Sequence, residues 1–286
     1  MANKYPNKVY LNGEWLNADK AKVSVFDRGF MLGDGVYEVI PFYRGKPFLS
    51  SAHIRRLEYC LNEVSILLEQ RFAWSEVIDE AIAQAGLTAS DGAVYIQITR
   101  GAAPRTHYFP QNVLPTILIY AFELQLSGFE HRKAKVLVAK DLRWHRCDIK
   151  STSLIANVQA NEYAHGLAFD ESILERNGII TEGTHTSFFC VRNGVVYTHP
   201  AGPHILPGIT RDWVINMCFK LNIEIKEEAL PINDLQEVDE LFLTGTTAQI
   251  LAVTEVMLAD RSTITKRTGS ITSKMQQAFI EEIENL

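Results

Sequence analysis

Val94-Tyr95-Ile96-Gln97-Ile98-Thr99 places an aliphatic side chain at every second position, the period of a strand that buries one face. Thr116 to Phe122 follows as a continuous apolar strand. Working outward, Val9-Tyr10-Leu11 and Glu14-Trp15-Leu16 flank Asn12-Gly13, a dipeptide suited to the positive φ angles of a two-residue hairpin turn. A second hairpin runs from Val36 to Tyr43 and returns through Arg44-Gly45. Between these strands and Val94, Ile54, Leu57, Leu61 and Val64 recur at helical spacing, as do Ile78, Ile82 and Ala85. Ser51 and Ser75 are the candidate caps of those helices. Helices that lie against opening hairpins, without regular βαβ alternation, predict an α+β chain.

The pattern continues beyond a polar stretch. Glu123 to Arg132 contains Ser127-Gly128 and reads as a linker, giving a small N-terminal domain over 1–122, a linker over 123–132 and a larger domain over 133–286. In the larger domain Lys135 to Leu142 reads as a strand and Leu154 to His165 as a helix stopped by Gly166. Hairpins turn at Asn177-Gly178 and Asn193-Gly194, and Ile209 to Leu221 is helical. Glu240 to Thr244 and Ile250 to Val256 are strands, and Met275, Phe279 and Ile283 mark a terminal amphipathic helix.

Composition narrows the function. Of 286 residues, 47% are hydrophobic and 22% charged, with 28 Lys and Arg against 34 Asp and Glu for a net charge of −6. That balance argues against nucleic-acid and anionic-membrane partners and makes a small anion the natural ligand of any arginine cluster. Cys60, Cys147, Cys190 and Cys218 form no C-x-x-C, and the eight histidines form no H-E-x-x-H, so no metal site is expected. Met1 to Pro6 has no apolar segment and Ile117 to Phe122 is far too short to span a bilayer. These features place the chain in the cytoplasm.

Gly33-Asp34-Gly35 lacks the third glycine of a dinucleotide loop, since Glu38 stands there and a strand follows. No G-x-S-x-G elbow exists. Leu206-Pro207-Gly208-Ile209-Thr210 and Thr244-Gly245-Thr246-Thr247-Ala248 read as glycine-bearing loops entering helices, able either to cradle a phosphate or simply to cap. Arg100 to His107 and Arg143 to Lys150 are electropositive stretches that follow strands, where an arginine fork can grip a carboxylate or merely face solvent.

Seven motifs then fall in order: Asp27-Arg28-Gly29 with Gly33-Asp34-Gly35-Val36-Tyr37-Glu38; Arg105-Thr106-His107; Arg146-Cys147-Asp148-Ile149-Lys150-Ser151; Arg176-Asn177 with Thr181-Glu182-Gly183; Gly208-Ile209-Thr210-Arg211; Asp239-Glu240-Leu241-Phe242; and Thr246-Thr247. From about residue 8 to residue 258 the chain resembles the fold-type IV pyridoxal-phosphate aminotransferases, and within them the D-amino-acid aminotransferases. The resemblance implies a smaller N-terminal α/β lobe and a larger pseudo-barrel lobe. It implies pyridoxal 5'-phosphate as cofactor, with Lys150 forming the Schiff base to its aldehyde and Glu182 facing the pyridine nitrogen. Leu206 would support the ring, and Arg56, Ile209, Thr210 and Thr246 would hold the phosphate. Tyr37, Arg105 and His107 correspond to the family's trap for the substrate α-carboxylate. In that family the Arg and His reach across from the neighbouring subunit, which implies a homodimer.

The implied reaction is ping-pong amino transfer from a D-amino acid to a 2-oxo acid, with 2-oxoglutarate or pyruvate as acceptor. A branched-chain L-aminotransferase, an (R)-amine transaminase and an aminodeoxychorismate lyase share the fold, and Arg105-x-His107 favours the D-amino-acid reading over them. Arg143 and Arg146 are placed to lower the Lys150 pKa, and Glu171 to tune that lysine. Behind Glu182 the chain has Gly183-Thr184-His185-Thr186-Ser187, and at 245 it has Gly, where the best-known D-amino-acid enzymes carry serines. His185 either touches cofactor or pocket wall, or is a satisfied buried residue.

Overall fold

The computed structural model describes residues 6–68 and 72–286; Met1 to Tyr5, read above for a leader, lie outside them. The chain forms two compact units. One runs to Ser127 and takes back Ile149–Ser153 and Leu286; the other comprises Gly128–Asp148 and Leu154–Asn285.

The first unit is an antiparallel sheet of β1 (Lys8–Leu11), β2 (Glu14–Asn17), β3 (Gly35–Tyr43), β4 (Lys46–Pro47), β5 (Gly92–Thr99) and β6 (Thr116–Glu123), in the order β2-β1-β6-β5-β3-β4. Alternation decides its faces. Val36 and Ile40 of β3, Val94, Ile96 and Ile98 of β5, and Ile117 and Ile119 of β6 all point to one side. There they meet Leu57, Cys60 and Leu61 of the helix Ser50–Glu63 and Ile78, Ala81 and Ile82 of the helix Trp74–Gln84. Each such aliphatic side chain, fully buried, contributes roughly 1.5–3 kcal/mol. The opposite face is aromatic: Tyr37 stacks on Tyr95 at 5.8 Å and Tyr95 on Tyr120 at 5.1 Å. The apolar run 116–122 thus alternates between core and ladder.

Among the described residues three helices complete this unit: α1 (Arg28–Leu32), α2 (Ser50–Glu63) and α3 (Trp74–Gln84). Ser51 and Ser75 do not cap, because both helices begin earlier. Their N-caps are Leu49 and Ala73, neither with a side-chain capping bond. The hairpin readings hold. Asn12, Asn177 and Asn193 have φ of 50°, 54° and 52°, each followed by a glycine at positive φ, as two-residue turns of this kind demand.

The second unit is a nine-stranded sheet. Its strands are β7 (Lys133–Lys140), β8 (Glu171–Arg176), β9 (Ile179–Gly183), β10 (Ser187–Arg192), β11 (Val195–Thr198), β12 (Ile225–Lys226), β13 (Glu240–Gly245), β14 (Gln249–Met257) and β15 (Thr263–Thr265). The order is β12-β11-β10-β13-β14-β7-β8-β9, with β15 pairing β14. Strand β9 also lies against β10, so the sheet curls back on itself as a half-barrel around Val136, Ile173, Phe188, Leu241, Leu243 and Val253. Helix α4 (Ile155–Gly166) crosses over between the parallel strands β7 and β8; α5 (Ile209–Lys220) and α6 (Ser270–Glu284) follow. The two-lobed α+β expectation is borne out. Among the described residues no helix is long and apolar enough to cross a membrane.

Candidate active site

Lys150 sits on a short strand-like return to the first unit. Ile149 is buried in that unit's core, Ser151 bridges to Val36, and the Thr152 N–H donates to the Gly35 carbonyl at 3.0 Å. Extended backbone alternates its side chains, so with Ile149 turned into the core Lys150 turns the other way. Its N–H donates to Cys60 Sγ at 3.3 Å and its carbonyl accepts from the Tyr37 N–H at 3.0 Å. The ammonium lies 4.3 Å from the centre of the Tyr37 ring, within reach of a cation–π attraction.

Beside this segment lies a buried charge cluster. Glu38, fully buried, accepts from Arg56 Nε at 2.9 Å, from Arg56 Nη2 at 2.7 Å and from the Val39 N–H at 2.9 Å, with His53 Nδ1 at 3.0 Å. Burial opposes ionisation of Glu38, but Arg56 and His53 outweigh it and hold the carboxyl well below the usual range. His53 is pushed down by its own burial, against the pull of Glu38. His53, Arg56 and Cys60 follow at spacings of three and four, so one face of α2 carries all three. A bidentate pair of this kind fixes the plane of the Arg56 guanidinium. Glu38 and His53 carry no role in the motif reading. The available signal was a glutamate at a core-facing position of β3, between Val36 and Ile40.

Arg105 and His107 are exposed on the excursion that leaves β5, whereas Tyr37 is half-buried in β3. The sequence stretch that holds the first two is therefore a loop, as read.

In the second unit Glu182, next to last in β9, is almost fully buried. Its Oε1 accepts from Arg143 Nη1 at 2.5 Å, and the Leu206 N–H points at both oxygens at 3.1 and 3.2 Å. Arg143 is shared, because Nε and Nη2 also grip the two oxygens of Asp141 at 2.9 Å each. Arg176 Nη2 comes within 3.1 Å of the same Asp141. One guanidinium divided between two carboxylates does not offset desolvation at Glu182, whose pKa is pushed up to about 7. The Arg143 guanidinium is thus paired with both Asp141 and Glu182. Arg146 likewise pairs with Asp148 at 2.9 Å.

Glu171, expected to tune Lys150, is buried at the start of β8. It accepts from Thr184 Oγ1 at 2.5 Å and Thr186 Oγ1 at 3.1 Å, and lies 2.9 Å from His185 Nδ1. Burial raises its pKa but the His185 contact and its hydroxyl donors lower it further, for a net depression. His185 is not a buried residue: its ring is 55% exposed and tied to this buried carboxylate.

Leu206 lies three residues before the start of α5, and Ile209 and Thr210 form the first turn of that helix after the N-cap Gly208. The first turn of any helix leaves N–H groups for an outside acceptor. Thr246 differs from expectation. The stretch Thr244 to Ala248 joins β13 to β14 as a hairpin turn and enters no helix, because Gln249 at φ 57° turns the chain directly into the next strand.

Residues of the second unit suit a phosphorylated pyridine. Glu182 presents a desolvated carboxylate to which a protonated ring nitrogen is the complement. Thr244 Oγ1 is buried without a hydrogen-bond partner, and Thr244 pairs with Ser187 across β10 and β13. A Cβ on Gly208 would stand 2.7 Å from Ser187 Oγ, so the approach to α5 admits only glycine without displacing that hydroxyl.

The class IV amino-transferase family matches residues 35–256. D-alanine aminotransferase of Staphylococcus aureus (strain N315) is 37% identical, covering 97% of this chain and 98% of its own. That of Bacillus licheniformis is 36% identical over 96% and 97%. Among solved structures, the branched-chain amino acid aminotransferase from Escherichia coli superposes with a TM-score of 0.84 at 26% identity, covering 96% of this chain and 94% of that one. Class IV aminotransferases are pyridoxal-phosphate enzymes, and the chain belongs to that family.

Proposed function

We propose that the protein transfers the amino group of a D-amino acid to 2-oxoglutarate or pyruvate, as a cytoplasmic homodimer. The observation that carries this reading is Arg105-Thr106-His107 on the loop after β5, in a chain that matches D-alanine aminotransferases over nearly its whole length. Pyridoxal phosphate, when bound, supplies an electron sink for the carbanion left when the substrate Cα loses its proton. Arg56, Ile209, Thr210 and Thr246 would hold its phosphate, and Leu206 would support the ring. Glu182 would keep a proton on the ring nitrogen, its carboxylate fixed by Arg143 and the Leu206 N–H. Lys150 would hold the aldehyde carbon at rest, and its Nζ, when free, would be the base that takes the substrate Cα proton and the acid that returns one on the same face.

Tyr37, Arg105 and His107 bind the α-carboxylate, the last two contributed by the second subunit. Charge-assisted bonds of this type contribute roughly 1.5–3 kcal/mol, and they dictate which face of Cα meets Lys150. The branched-chain amino acid aminotransferase from Escherichia coli shares the fold, and the Arg-x-His loop is what separates the D-amino-acid reading from a branched-chain one.

The test is a single-turnover half-reaction followed by the loss of cofactor colour. D-alanine is expected to react much faster than L-alanine or L-leucine. Faster reaction with L-leucine overturns the D-specific reading. Borohydride should fix the cofactor to Lys150 in a peptide map, and a label on any other lysine removes that assignment.

A further inference from the structure

Two arginines from distant parts of the first unit close on one carboxylate. Arg28 opens α1 and Arg100 follows β5 directly. Arg28 Nε donates to Asp34 Oδ2 at 2.7 Å; Arg100 Nε donates to the same oxygen at 2.8 Å and Arg100 Nη2 to Oδ1 at 2.9 Å. Both arginine side chains are more than nine-tenths buried. Burial works against ionisation of Asp34, but the two guanidinium groups outweigh it and hold the acid ionised.

Each arginine reaches onward to the loop. Arg28 Nη1 donates to the carbonyl of Thr106 at 2.7 Å, the residue between Arg105 and His107. The Arg100 guanidinium lies 3.6 Å from the centre of the Phe109 ring, while its Nη1 and Nη2 hold the Ser65 and Val64 carbonyls at 2.9 and 2.7 Å. The base of the loop is laced to the Asp27 segment, since the Arg28 N–H donates to the Gly101 carbonyl at 2.9 Å and the Ala103 N–H to the Phe26 carbonyl at 3.1 Å. Beyond Ala103 the loop is largely exposed and has no regular structure. Segments of this kind sample many conformations unless tied down. The Arg28 contact ties its middle and the Phe109 contact its far side.

We propose that Asp34 is a positioning residue: through Arg28 and Arg100 it orients the loop that presents Arg105 and His107, and so sets the affinity for the substrate carboxylate. The inference rests on the carboxylate-trap reading of those two side chains.

Arg28→Lys provides the test, because it keeps the charge beside Asp34 while a single ammonium cannot span both Asp34 and the Thr106 carbonyl as a guanidinium does. In the cofactor-loaded enzyme, KM for D-alanine is expected to rise by about 10-fold with kcat within about twofold. Amide hydrogen exchange over residues 102–108 is expected to accelerate. Arg105→Ala should raise the same KM at least as much, and Arg28→Lys added to it should raise KM no further, since both act through one contact. Asp34→Asn should reproduce the Arg28→Lys pattern. An unchanged KM and unchanged exchange in Arg28→Lys, a fall in kcat without a rise in KM, or additivity with Arg105→Ala overturns the proposal. If Arg105→Ala itself leaves KM unaltered, the trap reading fails and the positioning role with it. A raised KM in Arg105→Ala beside a normal Arg28→Lys sinks only the latter.

Discussion

Glu182 shows how far one side chain's chemistry is set by its neighbours. Burial raises its pKa from the ordinary 4.5 to about 7, a difference of roughly 3 kcal/mol between its two protonation states. The sign follows from linkage: an acid whose folded pKa lies above its unfolded value binds its proton more tightly in the folded chain. Its contribution is complete below pH 4.5 and disappears as pH rises through about 7. Cofactor-free protein should therefore lose thermal stability between pH 5 and 8, and Glu182→Gln should flatten that slope. Thermal unfolding across this range checks it, and an equal slope in both proteins defeats the assignment. On the role proposed for it at the ring nitrogen, Glu182→Gln should also lower turnover by about 100-fold, because a neutral amide does not hold a proton there. At this scale the sequence is legible only in part. Lys150 is one lysine among many until the whole series of motifs is seen. Glu38 and His53 escape notice because a buried carboxylate and its partners lie 15 and 18 residues apart, and no local periodicity joins them.

Elements are held together by similar devices. Glu240, at the start of β13, extends its carboxylate to the N-terminus of α6: Oε1 accepts from the Ile271 N–H at 3.1 Å, and Oε2 from the Thr272 N–H at 2.8 Å and Thr272 Oγ1 at 2.7 Å. A negative charge there satisfies donors that the helix cannot and complements its dipole. A Cβ on Gly269, the N-cap of that helix, would stand 2.0 Å from the Glu240 carboxyl carbon, so strand and helix leave no space between them. Glu240→Ala should destabilise the protein by about 2–4 kcal/mol, as buried donors are left unpaired. Chemical denaturation measures this, and a loss under about 0.5 kcal/mol would remove the carboxylate's role in docking α6. Strands, hairpins and core faces were readable because period-two alternation and Asn-Gly turns are local signals. The Thr244 to Ala248 stretch was misread as a helix entry because glycine and threonine suit a hairpin turn equally well. Ser51 and Ser75 were misread as caps because the chain begins each helix without a side-chain acceptor.

For the whole molecule, the returning segment Ile149–Ser153 is what local patterns could not reveal: its place beside β3 depends on bonds to Gly35 and Tyr37 more than a hundred residues earlier. The proposed assembly poses a question at the same scale. Should Arg105 and His107 serve the partner's substrate, then Lys150→Ala and Arg105→Ala damage different subunits of each site. Mixing the two variants, the first inactive and the second impaired at low D-alanine, and allowing subunits to exchange forms mixed dimers. One site in each mixed dimer takes Lys150 from one chain and Arg105 from the other and is whole; the second site lacks both. Random exchange of equal amounts makes half the dimers mixed, and hence about a quarter of all sites whole. Activity at low D-alanine should therefore recover to about a quarter of the unaltered enzyme's, measured against each variant alone. Were Arg105 to act within its own chain, every site would keep one lesion and mixing would restore nothing, whatever the dimer's stability.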